Sequence, residues 1–296
     1  MKAVVYTEYG SPDVLQLGDV EKPVPRDDEV LIEVHAVSVN RTDWEILRGQ
    51  PLYARIGGLR KPRYRILGSD VAGRVEMVGS NVRRFQPGDE VFGDLLAGMG
   101  GFAEYVCAPE RSLLLKPAGL TFEQVATVPQ TGVIALQGIR DKGRVRPGQH
   151  VLINGAGGGV GLFAVQLAKS YGAEVTGVDN TGKLDFMRSL GADYVIDYTR
   201  EDFTNNGKQY DLILDPIANR SAFAYRRALR PNGSYFLIGG SMSTLFQVLL
   251  LAPWIRRTAG KHIRLLAVRP NLKDLAYVTE LCEAGKIVPF IDRQFS

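Results

Sequence analysis

The stretch NGAGGGVG, residues 154–161, is the densest glycine cluster in the chain and leaves the segment around it few ways to fold. It follows the apolar run HVLI (150–153) and opens GVGLFAVQLAKSYG (159–172). The first has the continuous apolar character of a buried strand, the second the spacing of a helix. AEVTGVD (173–179) then returns as a strand that ends on Asp179. Strand, glycine turn, helix and strand in that order predict a right-handed parallel crossover. A glycine turn can exist merely to accept positive φ. Here the flanking elements, with Asp179 eighteen residues beyond Gly161, favour a dinucleotide-binding turn instead. Its candidate phosphate contacts are Gly155, Gly158, Gly159 and Val160. Gly158 would admit a pyrophosphate close to the backbone, and Gly161 would let the helix approach the strand. The free amides of the first helical turn would then face the phosphates.

A carboxylate at the position of Asp179 accepts hydrogen bonds from ribose hydroxyls and repels a 2′-phosphate, which argues for NADH. Lys183 and Tyr198 argue the other way, since both could reach a 2′-phosphate. Asn180 lies in the same turn and joins the candidate cofactor contacts. A solvated helix lysine is the plain alternative for Lys183, and the choice of dinucleotide stays open.

Before this unit the chain has a different rhythm. MKAVVYT, VLIEVHAVSVN (30–40), DVAGRVEMVG (70–79) and GFAEYVCAP (101–109) are short β-branched runs split by glycine and proline. They predict an all-β, barrel-like domain. From about Thr121 helical spacing begins, and strands then alternate with helices through KLDFMRSLG, DYVIDY, YDLILDP and GSYFLIGG. HIRLLAV (262–268) is expected as a sixth, edge strand. The class is α/β, with a doubly wound parallel sheet covered on both faces.

Composition narrows the function classes. At 296 residues, 45% of them apolar, the chain can bury two ordinary cores. The net charge of +4 is mild. RGQPLYARIGGLRKPRYR (48–65) is basic and free of acids, but it belongs to no nucleic-acid module; it reads first as a solvated loop and second as a lip attracting an anionic ligand. No nucleic-acid partner is expected. Cys107 and Cys282 lie far apart and form neither a disulfide framework nor a metal pair, which fits a reducing cytoplasm. MKAVVYT runs straight into a strand pattern with no leader architecture. LFQVLLLAPWI (245–255) is too short to span a bilayer. With its basic tail it reads as a buried or interface helix, and no membrane partner is expected. His35, His150 and His262 sit in strand contexts and are given no catalytic part.

Taken jointly, SVNRTDW (38–44), ILGSDVAGRVEMVGSNV (66–82), FQPGDEVFG (85–93), GGFAEYV (100–106), VPQTGVIALQG (128–138), NGAGGGVG, RSLGADYVIDY (188–198) and GKIVPFIDR (285–293) resemble the medium-chain dehydrogenase/reductase superfamily. The likeness is to its zinc-less, quinone-oxidoreductase-like branch, and it spans nearly the whole chain. It implies a GroES-like β-barrel catalytic domain of residues 1–120 and 271–296 and a Rossmann dinucleotide-binding domain of residues 121–270. It also implies NAD(P)H as cofactor, NADPH being the family default, and a homodimer in which HIRLLAV of two subunits pair edge to edge. Zinc-dependent members carry a cysteine three residues before an aspartate like Asp43, and a histidine–glutamate pair after a glycine like Gly68. Here those places hold Asn40, Ser69 and Asp70, and VPQTG offers no cysteine. Amide and hydroxyl groups do not replace thiolate and imidazole as zinc ligands, so no metal is expected.

Without a Lewis acid, oxidation of a simple alcohol loses its usual support. A quinone or an α,β-unsaturated carbonyl needs less, because conjugation spreads the charge that arrives with the hydride. The expected activity is therefore metal-free hydride transfer from NAD(P)H to a small-molecule acceptor of that kind. By resemblance, the catalytic candidates are Asn40, near the nicotinamide ribose, and Tyr53, at the substrate entrance, where a packing tyrosine is an equal alternative. Tyr64 is weaker, and Asp43 is expected to orient Asn40 or the loop backbone. Thr131 resembles a threonine that contacts the cofactor near its nicotinamide end, and Ile238, Gly239 and Ser241 would line the other flank. The competing readings are an NAD(P)-dependent alcohol or aldehyde dehydrogenase and a non-catalytic nucleotide-binding protein.

Overall fold

The β-branched runs of the first third of the chain pair into antiparallel sheets. In the computed structural model, which describes residues 1–56 and 58–295, β1 (Lys2–Val5) pairs with β2 (Gln16–Asp19). Gly57, inside the basic stretch 48–65, and Ser296 lie outside the described residues. Strand β3 (Glu29–Ser38) is followed by helix α1 (Arg41–Arg48), then by β4 (Asp70–Val78), β5 (Glu90–Asp94), β6 (Tyr105–Pro109) and β7 (Leu113–Leu115). These five strands form one antiparallel sheet in the order β6-β3-β4-β5-β7. Its inner face is a cluster of Val30, Ile32, Val71, Val75, Val91 and Leu113. The pairing of β3 with β4 is interrupted twice, near Leu31 and near Val34, and such bulges bend a strand as a barrel-like sheet requires.

Helix α2 (Phe122–Ala126) begins with a capping box: Thr121 Oγ1 accepts from Gln124 N at 3.2 Å, and Gln124 Oε1 accepts from Thr121 N at 2.9 Å. It buries Val125 and Ala126 and packs on β3, β4 and β5. The chain accordingly divides into two compact units, Met1–Gln130 with Pro270–Ser296, and Thr131–Arg269. Residues 121–130, grouped with the second domain on sequence rhythm, thus pack with the first unit. Helical spacing signalled a helix there but carried no information about which core would receive its apolar face.

Helix α3 (Pro129–Leu136) leads, through a wider π-type turn, toward β8 (His150–Asn154). There follow α4 (Gly159–Ser170), β9 (Glu174–Asp179), α5 (Leu184–Ser189), β10 (Tyr194–Asp197), β11 (Tyr210–Asp215), α6 (Ala222–Ala228), β12 (Leu229–Leu237), α7 (Met242–Ala259) and β13 (His262–Leu265). The six strands are all parallel, in the order β10-β9-β8-β11-β12-β13. Beginning at the centre with β8, the chain winds outward to one side through β10 and then to the other through β13. This is the doubly wound arrangement that the glycine turn predicted. Its central strands read as unbroken apolar runs because both faces are covered, and Val151, Leu152, Ile153, Ile213 and Leu214 are fully buried. HIRLLAV forms edge strand β13 over its first four residues, and Leu266 N adds a hydrogen bond to Leu237 O at 2.9 Å. Helix α7 carries Pro253 inside it, and no helix among the described residues is long and apolar enough to cross a membrane. The chain then returns to the first unit, where α8 (Leu272–Glu283) buries Leu275, Val278 and Cys282.

Ile213, fully buried on β11, tests how far the parallel sheet depends on tight packing. Ile213→Ala is expected to cost about 2–5 kcal/mol, read as an earlier urea midpoint for loss of helical circular dichroism.

Candidate active site

At the end of β8 the chain turns through Gly155, whose φ of +89° is one that residues with a side chain rarely adopt. Gly158 N donates back to Gly155 O at 3.0 Å, and Gly158 is the N-cap of α4. A Cβ on Gly161 would run into the carbonyl oxygen of Gly155, so α4 sits as close to the turn as its backbone allows. A Cβ on Gly158 would find only Gly155 O, at 3.3 Å, within 4 Å. The turn therefore leaves space beside Gly158. The amides of Gly159 and Val160, in the first turn of α4, have no intrahelical acceptors. Thr131 borders the same turn: its Cγ2 lies 3.0 Å from where a Cβ on Gly159 would sit.

The end of β9 closes the other side. Asp179 Oδ2 accepts from Gly157 N at 3.0 Å, and Oδ1 accepts from Asn180 N at 2.8 Å and Asn180 Nδ2 at 3.2 Å. Lys183 Nζ donates to Gly157 O at 2.7 Å. Aspartate and lysine thus grip opposite sides of one residue of the turn. Tyr198 is held alongside by its backbone N, which donates to Asp179 O at 3.1 Å, while its ring is exposed. All the residues expected around the phosphates and the adenosine ribose come together here.

Ile238 and Gly239 follow β12, with Ile238 N donating to Asp215 O at 2.9 Å and Gly239 at φ +74°. Ser241 caps α7 by accepting from Thr244 N at 3.1 Å. The neighbouring strand end holds a group that sequence reasoning missed. Asp215 is fully buried and accepts from Asn154 Nδ2 and Ala218 N, both at 2.8 Å, and from Ile217 N and Tyr235 Oη, both at 3.0 Å. It ties the ends of β8, β11 and β12 into one rigid edge. Its only sequence signal is that two apolar strands, β8 and β11, both end on a polar residue.

In the first unit the candidate residues gather at the start of α1. Asn40 is the N-cap and is 7% exposed. Its Nδ2 lies 3.1 Å from Asp70 Oδ2, 3.2 Å from Ser38 Oγ and 3.4 Å from Ser69 Oγ. Asp43 Oδ2 accepts from Asn40 N at 2.8 Å and Oδ1 from Gly68 N at 3.0 Å, so Asp43 orients both Asn40 and the loop before β4. Burial pushes its carboxyl group up to about 6, against the backbone hydrogen bonds that favour the charge. Gln130 N donates to Asp70 Oδ2 at 3.0 Å, and Thr42 Oγ1 donates to Gln130 Oε1 at 2.9 Å. The Tyr53 hydroxyl donates to Glu45 Oε2 at 3.3 Å, and burial together with that carboxylate pushes it up to about 12. Tyr64 donates to Ala97 O at 3.1 Å. The parts of Asp70 and Gln130 in this network were not foreseen.

The donor set does not fit zinc. Asn40 turns its amide N–H groups toward Ser69 and Asp70, and no group of three His, Cys, Asp or Glu side chains that could hold a metal occurs among the described residues. The glycine turn does fit a dinucleotide, with open space at Gly158 and uncapped amides beside it.

Asp43 gives a signed pH prediction. Its carboxyl group holds its proton to a higher pH in the folded chain, about 6, than in the unfolded one, where 3.8 applies. The unfolded state releases its proton first, so this group's contribution to stability falls as pH rises across that window. Asp43→Asn keeps one of the two backbone hydrogen bonds and carries no charge. Urea midpoints measured from pH 4 to 7 are expected to fall less steeply for the variant than for the wild type.

Comparisons with known proteins bear on the family and the fold. The model of the alcohol dehydrogenase GroES-like domain matches residues 26–118, and that of the zinc-binding dehydrogenases matches residues 190–296. The 2-methylene-furan-3-one reductase of Solanum lycopersicum is 33% identical over 302 residues, which cover 99% of this chain and 71% of the relative. The chloroplastic NADPH-dependent alkenal/one oxidoreductase of Arabidopsis thaliana is 38% identical over 231 residues, 73% of this chain and 57% of its own length. The structure of the quinone oxidoreductase from Coxiella burnetii superimposes with a TM-score of 0.84 at 30% identity, covering 100% of this chain and 92% of that one. The chain belongs to the medium-chain dehydrogenase/reductase superfamily, in its quinone-oxidoreductase-like branch.

Proposed function

We propose that this chain is an NAD(P)H-dependent oxidoreductase that passes a hydride to a quinone or an α,β-unsaturated carbonyl without a catalytic metal. The observation that carries the reading is the hydrogen-bonded network of Asn40, Ser69 and Asp70, standing where zinc-dependent members place their ligands, in a chain that also has a dinucleotide turn. The names of the tomato and Arabidopsis relatives refer to a 2-methylene-furan-3-one and to alkenals and alkenones, which are conjugated carbonyls.

Reduced nicotinamide, when bound, supplies the hydride. The chain's own residues bind, orient and donate hydrogen bonds. The first-turn amides of α4 would hold the pyrophosphate, Lys183 and Tyr198 would reach a 2′-phosphate where one is present, and Thr131 with Ile238, Gly239 and Ser241 would hold the nicotinamide end. Asn40, whose amide N–H groups are taken up by its own network, would present its carbonyl oxygen near the nicotinamide ribose. The Tyr53 hydroxyl would serve the acceptor oxygen, where negative charge grows as the hydride arrives, only by leaving Glu45. Positioning does most of the work, and the last proton can come from solvent. Dinucleotide choice rests on Asp179 and Lys183, which hold the two sides of Gly157. A homodimer joined through β13 is supported by the pairing of that strand with β12 alone among the described residues. Cys107 and Cys282 are free thiols, which is compatible with a reducing compartment.

Titration with NADH and NADPH separately, followed by a panel of quinones, enones and alcohols without added metal, tests the reading. Oxidation of the reduced cofactor by a quinone or enone is expected; alcohol oxidation that requires zinc would overturn it. In the same assay Asp179→Ser is expected to move the preference ratio toward NADPH. An unchanged ratio would show that Asp179 does not read the ribose.

A further inference from the structure

Asp70 opens β4 and is fully buried, an unusual place for a residue type that strands disfavour and interiors accept only when paired. Its two oxygens have different surroundings. Oδ2 accepts from Asn40 Nδ2 at 3.1 Å and from Gln130 N at 3.0 Å, whereas Oδ1 meets no hydrogen-bond partner. The charged groups that bear on it are Asp94 on β5 and Asp43 on α1, both acids, and no cation is among them. Asp70 thus has one oxygen fully engaged and one bare, and both of its charged neighbours would repel a negative charge.

We propose that Asp70 is a positioning residue for this site: its buried carboxyl group clamps the Asn40 amide and the first turn of α3 to a single oxygen, and so fixes the face that Asn40 presents to its ligand. The inference rests on the reading of Asn40 given above. Without Asp70, the Asn40 amide would keep only the hydroxyls of Ser38 and Ser69, which rotate and impose no single orientation. Gln130 N, the second donor held, keeps Oδ2 engaged and so fixes the carboxyl group against which Asn40 is oriented. The geometry also sets the protonation state. A fully buried carboxylate with a bare oxygen and two acidic neighbours is held well above the usual carboxylate range by burial, and the proton belongs on Oδ1, since Oδ2 already accepts twice. Asparagine reproduces that neutral group: its carbonyl replaces Oδ2 and its NH₂ replaces the protonated Oδ1.

The test is a set of variants assayed for kcat, KM and cofactor Kd with NADPH or NADH and a quinone. Asp70→Ala is expected to lower kcat on the order of 10- to 100-fold while cofactor Kd changes little, as loss of orientation does. Asp70→Asn, the conservative variant, is expected to restore kcat to within about twofold of wild type. In an Asn40→Ala background, Asp70→Ala should produce no further loss, because its effect passes through Asn40. If Asp70→Ala does not fold, Asp70→Val, which suits a strand, takes its place in the cycle. An Asp70→Asn variant as impaired as Asp70→Ala would overturn the neutral clamp. Independent, multiplying losses at positions 40 and 70 would overturn the action through Asn40. A second readout needs no turnover: the ¹H–¹⁵N signal of the Asn40 side-chain amide should exchange slowly with solvent in wild type and Asp70→Asn, and rapidly once the carboxyl group is gone. Equal exchange in all three would sink the clamp. A wild type with no quinone or enone activity would sink only the proposed function.

Discussion

The close approach of α4 to the Gly155 carbonyl is the constraint from which the candidate cofactor site follows. It exists because residue 161 has no side chain, and a Cβ there would meet that carbonyl oxygen and the Ala156 backbone. Helix position decides where the first-turn amides point, and their partial positive charge is useful only if they face the open space beside Gly158. The parallel pairing of β8 with β9 then brings Asp179 beside the same turn, because Asn154, the last residue of β8, lies opposite Val178. A side chain at position 161 would push the helix away and move every one of these groups at once. The hydrogen bonds from Gly157 N to Asp179 and from Lys183 to Gly157 O brace a loop whose glycines give it little stiffness of their own.

The first unit solves a different problem, that of burying polar groups without a cation. Asp43, Asp70 and Asp94 are all held above their usual range by burial. Asp43 meets the cost through two backbone donors, Asn40 N and Gly68 N. Those bonds are also what shapes the loop and starts α1, so the residue that defines the helix end doubles as the residue that orders the site. Asn40 is the point where the two functions meet, as a helix cap through its backbone and as the centre of the polar network through its side chain.

Much of this could be read from residue order, and the failures have physical reasons. The strand–turn–helix signal around NGAGGGVG is local, and each of its consequences was legible: the parallel sheet, the carboxylate at the end of β9, the gathering of Lys183 and Tyr198. The unit that claims α2 was not legible, because an apolar face says only that something covers it. Asp70 was quoted for what it replaces and not for what it does, since burial of a single acid in DVAGRV depends on partners that come from α1, from the start of α3 and from β5. The Asp215 network failed for the same reason: its donors are spread from Asn154 to Tyr235 and converge only when three strands are in register.

The network around Asn40 shows what an amide, a hydroxyl and an acid must do when they are buried together without a cation. Coordination would satisfy three side chains through one central charge. Hydrogen bonds must satisfy them pairwise, and here the pairing does not close: Asp70 Oδ1 and Gln130 Nε2 are buried without partners. Each such atom costs about 1–3 kcal/mol, a penalty that folded chains rarely carry except where geometry serves a purpose other than stability. Both belong to residues that hold each other through Gln130 N and Asp70 Oδ2. The unpaired atoms of Asp70 and Gln130 therefore mark a part of the first unit whose arrangement packing alone does not explain. Asn40 thus rests on a support which is held because Asp70 Oδ2 is shared by two donors, and costly because Oδ1 is shared by none.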